Sequence, residues 1–168
     1  VPIVSSDITR RYSGGAGNTD PLASLGGAKS STAIPNNTLN AVWPDFTGQE
    51  SNDGITRYRC FYIHNAHGSL TAKNGKLYFN SQPANAGVSV EAGAGTSAVN
   101  GTEQTIANET TAPSGVTFNA YNSGTKLSLA NIPAGQHKAI WLKLTTDPGA
   151  SAKDLDQYEL FIDVDTNE

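Results

Sequence analysis

From residue 55 onward, apolar and polar positions alternate in short runs, the pattern of half-buried strands. Thr56-Arg57-Tyr58-Arg59-Cys60-Phe61-Tyr62-Ile63 is rich in the aromatic and β-branched types that suit a pleated surface. Val88-Ser89-Val90, Val116-Thr117-Phe118 and Leu127-Ser128-Leu129 alternate in the same way. Residues 138–144 form the most apolar run, and Tyr158, Leu160, Ile162 and Val164 share one face of a strand. Asn74-Gly75, between Leu70-Thr71-Ala72 and Leu77-Tyr78-Phe79, predicts a hairpin turn. About seven short strands separated by Gly, Pro and Asn predict an all-β fold, an antiparallel β-sandwich of immunoglobulin-like type. The Cys…Trp…Cys spacing of true immunoglobulin domains is absent, so the expectation concerns architecture only. Residues 93–115 make a long connection, in which 102–107 read either as one helical turn or as a poorly patterned strand.

The first fifty residues follow no such rhythm. Ser13-Gly14-Gly15-Ala16-Gly17-Asn18 and Ser24-Leu25-Gly26-Gly27-Ala28 are turn-forming, and Pro21, Pro35 and Pro44 interrupt regular elements. Yet Leu22, Leu25, Ile34, Leu39, Val42, Trp43 and Phe46 are scattered through the stretch, more large apolar groups than a linker carries. The reading is an extended arm over residues 1–50 that packs on its own domain or on a neighbouring subunit. A sandwich over 51–168 is expected to fold independently, with the boundary at Ser51-Asn52-Asp53-Gly54. Leu22, Leu25, Leu39, Trp43 and Phe46 are the candidate partner-binding residues of the arm.

Composition narrows the class further. Ser, Thr, Asn and Gly make up 64 of the 168 residues, and charged residues only 15%. Ser, Thr and Asn compete for helix backbone bonds, and Gly costs about 1 kcal/mol inside a helix, which excludes a helical bundle. No run approaches the roughly 20 apolar residues of a membrane-spanning helix. The net charge is −4, and the densest basic spots are Arg10-Arg11 and Arg57/Arg59. That is too little to neutralise a nucleic-acid backbone, so neither nucleic acid nor membrane is an expected partner. The single cysteine, Cys60, forms no internal disulfide. The start Val1-Pro2-Ile3-Val4 lacks a signal-peptide pattern and reads as a mature N-terminus made in a reducing cytoplasm.

Candidate chemistry is thin. Cys60, His64 and His67 superficially resemble a metal cluster, but on an extended strand positions 60 and 64 lie about 13 Å apart. Asp163, Asp165 and Glu168 form an acidic cluster without the glycine and spacing of a calcium loop. The glycines at 14–17 neither follow a strand nor open a helix, so they make no phosphate cradle. No Gly-x-Ser-x-Gly elbow occurs, and His137 has no acidic neighbour in sequence. Among Glu50, Asp53, Glu91, Glu103 and Glu109 no pair stands out for glycoside hydrolysis. Three Asn-x-Thr triplets, at 36, 100 and 108, are chance matches without a secretory signal. Tyr12, Trp43, Tyr121 and Trp141 are candidates for a sugar platform, Trp141 being the most core-like of them. The expectation is a protein that is not an enzyme and needs neither metal nor cofactor.

Six segments together resemble a family of tailed-bacteriophage virion structural proteins: residues 12–21, 24–28, 43–50, 57–65, 98–104 and 132–141. They include Trp43-Pro44-Asp45-Phe46, Arg57-Tyr58-Arg59-Cys60-Phe61-Tyr62 and Ile132-Pro133-Ala134-Gly135-Gln136-His137. The resemblance spans nearly the whole chain and carries no catalytic motif. It implies a particle component located in the virion after synthesis in the host cytoplasm. A head decoration (cement) protein on the major capsid protein lattice is the leading form. A neck, tail or fibre position, or a carbohydrate-binding module displayed on the particle, are the alternatives. The partners it implies are the major capsid protein or other virion proteins, with homo-oligomerisation open.

Overall fold

The computed structural model describes residues 1–152 and 156–165. Nine strands and one short helix follow in chain order: β1 (Ile8–Tyr12), β2 (Gly26–Gly27), α1 (Gly48–Asp53), β3 (Ile55–Asn65), β4 (Lys73–Ser81), β5 (Val88–Ala94), β6 (Glu103–Thr105), β7 (Leu127–Ser128), β8 (His137–Thr146) and β9 (Glu159–Asp165). They form a four-stranded sheet in the order β1-β3-β8-β5, a three-stranded sheet β7-β4-β9 and the small pair β2-β6, all antiparallel. The chain is an all-β sandwich.

The two larger sheets enclose the main core. Phe61 and Ile63 of β3, Val90 and Ala92 of β5, and Ile140, Leu142 and Leu144 of β8 meet Leu77 and Phe79 of β4. The other face of the four-stranded sheet is covered as well. Cys60, Tyr62, Ala139 and Trp141 project there and are buried under Ile106, Leu25, Val116 and Phe118, which come from connecting segments. This double burial is why the middles of β3 and β8, residues 60–63 and 139–142, are continuous apolar runs, since a strand covered on both faces has no solvent side to mark.

Three local expectations change. Asn74-Gly75 lies inside β4 and makes no hairpin. Asn74 takes φ 52°, and the register against β9 shifts between Lys73 and Lys76, so one extra residue is accommodated as a bulge. A side chain at Gly75 would meet Leu129 at 3.1 Å, so the glycine serves close packing. Val116-Thr117-Phe118 forms no strand, and its apolar side chains instead roof the second core. Of the two readings of 102–107, the strand is the one present, as β6. Helix α1, which the sequence reading did not anticipate, opens on a capping box: the Thr47 hydroxyl accepts from the Glu50 amide while the Glu50 carboxylate accepts from the Thr47 amide.

The segment 1–50 lies on its own domain. β1 pairs with β3 from Ile8↔Asn65 to Tyr12↔Phe61, and residues 32–34 add to the far side of β1. Ile3 and Tyr12 are buried, and Ile34, Val42, Trp43 and Phe46 pack against the main core. The prolines and glycines that disguise this segment break it into short pieces, which bury Ile3 and Tyr12 and partly bury Ile34, Val42, Trp43 and Phe46 while leaving Leu22 and Leu39 exposed. Gly26 illustrates the fit: its φ is +97°, and a Cβ there would stand 1.8 Å from the Gln104 carbonyl oxygen across the β2–β6 pair.

Candidate functional site: the open edge of the sandwich

The five arm residues singled out from sequence divide into two groups. Leu22 and Leu39 are exposed, at 49% and 67%. Leu25, Trp43 and Phe46 face their own domain. Phe46 covers Arg57, whose guanidinium carbon lies 4.9 Å from the ring centre, and Trp43 covers Arg59 at 5.4 Å. Alternation places both arginines on the core-facing side of β3, in line with Phe61 and Ile63. Their charge is met by carboxylates from two connections. Glu50 reaches Arg57 at 2.5 Å, and Glu109 reaches Arg59 at 2.5 Å and Arg57 at 3.2 Å. Both arginines are almost fully buried, so this cluster ties the first fifty residues and the 106–116 loop to β3.

The other sequence candidates are spent on the fold. Cys60 is buried, and burial pushes its thiol pKa up. His67 receives the amides of Ser69 and Leu70 on Nδ1, and its Nε2 lies 3.0 Å from the Val1 carbonyl oxygen. His64 and His137 sit opposite each other in the β3–β8 register, and burial, with Lys29 nearby, lowers both pKa values. Glu103 is buried in the loop layer. Burial alone would raise its pKa, but donors from Ser97, Thr96 and Gln104 outweigh it and hold the carboxyl at about 2. Of the acidic cluster near the end, Asp165 accepts from Asn74 and Asp163 pairs with Lys126, while Glu168 lies outside the described residues.

The four rings considered for a sugar platform also point inward. Trp141 is fully buried, Tyr12 donates to the Ala41 carbonyl, and Trp43 Nε1 donates to the Tyr158 hydroxyl. Tyr121 packs against the main core.

What remains open is one side of the sandwich. Strand β9 pairs with β4 on one side only, and among the described residues no backbone hydrogen bond reaches its other edge. Its inward side chains Leu160, Ile162 and Val164 are only half-buried. Between them and the N-terminal segment runs a groove of about 780 Å³, walled opposite by Ile3, Val4, Ile8 and Arg10. Arg10 projects from the core face of β1 into this groove and donates to Asn36 Oδ1 at 2.5 Å. Burial lowers its pKa, and among the described residues no carboxylate pairs with it. Phe161 and Val4 are exposed beside the groove. An unpaired strand edge above a half-filled apolar groove is a place where another chain can pair. Alternation over 158–164 revealed the strand from sequence. That it is an edge depends on strand order, for which the sequence holds no local signal.

Against known proteins, the chain matches no family model, no curated protein and no solved structure. Among the described residues no helix is long and apolar enough to cross a membrane, and no group of three or more metal-ligating side chains gathers.

Proposed function

We propose that the protein is a virion structural component of a tailed bacteriophage, a head decoration (cement) protein seated on the major capsid protein lattice. The observation that carries this reading is where the six resembling segments fall. They interlock around β3: the Cys60 amide donates to the Ser24 carbonyl, and the Tyr62 hydroxyl donates to the Gly27 carbonyl and accepts from the Glu103 amide. The Asn65 amide donates to the Gln136 carbonyl, and Trp43 and Glu50 close over Arg59 and Arg57. The Ser13 hydroxyl donates to the Cys60 carbonyl, so segments quoted for the likeness lie together around one strand, and that is the support this reading has. On this reading the protein works by contact, without catalysis, cofactor or metal.

Quantitative mass spectrometry of purified particles tests the proposal. The expected result is this chain at a fixed, high ratio to the major capsid protein, lost from particles whose gene for it is deleted. A few copies per particle would move it to the neck, tail or fibres. Its absence from particles would overturn the reading.

A further inference from the structure

We infer that the open edge of β9 is a receiving site for an extended segment of another virion protein, one that carries basic residues on alternate positions and apolar ones between them. The inference deepens the proposed function by naming the docking surface and its partner's chemistry, and it rests on that reading only for where the partner is found. A strand added beside β9 would send alternate side chains into the groove and the others outward, because strand side chains have a period of two.

The outward positions meet acid. Glu159, Asp163 and Asp165 stand on the solvent face of β9 around Phe161. On the β4 side these acids already meet Asn80 and Asn74, while Asp163 is paired with Lys126 of the residue preceding β7. Among the described residues, the opposite side of each faces no strand. Opposite charges directly across a strand pair are favourable and like charges are not, so Lys or Arg on the incoming strand fits this row.

The inward positions meet Leu160, Ile162 and Val164 on one wall and Ile3 and Ile8 on the other, with Arg10 between them. Apolar side chains fill that space, and one carboxylate among them would pair with Arg10. A second copy of β9 fits poorly. Antiparallel pairing about Ile162 would set Glu159 of each copy against Asp165 of the other, and neither copy would bring a cation to the row. The edge is thus guarded against its own kind and open to a basic strand.

Synthetic nine-residue peptides titrated into the intact chain and followed by fluorescence anisotropy test this. One alternates Lys and Val with a central inward Glu. A second replaces each Lys by Glu, and a third scrambles the order of the first. The expected result is saturable binding of the first, weaker by about tenfold or more for the other two, with amides of residues 159–165 gaining protection from hydrogen exchange. The doubly substituted Glu159→Lys/Asp165→Lys chain, its fold checked by circular dichroism, should reverse the preference between the first two peptides. Arg10→Gln should remove the advantage of the inward Glu over an inward Gln. Equal binding of the scrambled peptide, protection elsewhere in the chain, or no binding would overturn the inference. So would sedimentation showing a dimer held by β9 against β9. Peptide binding by a chain absent from particles would spare this inference while removing the virion reading.

Discussion

A carboxylate inside a layer of loops has to be held there by donors, and Glu103 is held by three neighbouring residues. Its pKa falls to about 2 in the folded chain from an ordinary value near 4.5. A depressed carboxyl pKa means that the unfolded state binds the proton more readily. The stabilisation is therefore complete above pH 4.5 and is lost as the pH falls toward 2. Urea unfolding followed from pH 6 down to pH 2 should show this loss, and Glu103→Gln should flatten it across that window. The arginine cluster makes a second prediction at the same scale. Removing Glu109 leaves Arg59, at 1% exposure, with a buried and unmatched charge. Glu109→Ala is expected to cost about 3 kcal/mol, measured by the shift in the urea midpoint at constant slope. Neither role was visible in sequence, where Glu103 and Glu109 were two of five acids among which none stood out. Arg57 and Arg59 lie about 50 residues from Glu109, and the donors to Glu103 are a hydroxyl and backbone amides brought round by a loop, which no spacing rule reaches.

Strands β3, β8 and β9 were legible because their side chains alternate or run apolar over seven or more residues. The short pieces were not. Asn74-Gly75 carries the residues of a tight turn, yet the same left-handed preference of asparagine serves a bulge equally well. β1 was hidden because Arg10 and Arg11 interrupt its apolar pattern, and β2 because two glycines carry no side chains to read. Gly26 gives that pair a sharp test. Gly26→Ala should cost about 3 kcal/mol through backbone strain and the clash with Gln104, a fall in Tm of roughly 6–12 °C. Gly17→Ala, where a Cβ meets nothing within 4 Å, should leave Tm nearly unchanged. The first fifty residues were expected to be separable, and their contacts now argue otherwise. Deleting residues 1–50 strips β1 from β3 and uncovers Arg57 and Arg59. The truncated chain should lose its cooperative melt in calorimetry, whereas a sharp transition would show that 51–168 folds alone.

At the scale of the molecule, the sheets are covered on nearly every side among the described residues, and the open strand edge is that of β9. Both faces of the four-stranded sheet are covered, the far side of β1 is lined by residues 32–34, and the rings of Trp43 and Phe46 are used internally. A small, weakly charged sandwich with one unfinished side suits a protein that completes itself on a neighbour. The sequence showed the apolar face of β9 and the acids beside it. The groove opposite needed the fold, since Ile3, Ile8 and Arg10 lie some 150 residues away along the chain. A cryo-EM map of the intact particle tests the central claim most directly. The expected map shows the sandwich repeated over the head lattice, with a strand from a neighbouring virion protein lying along residues 159–165. A particle without this chain, or one on which it sits with β9 facing solvent, would contradict it.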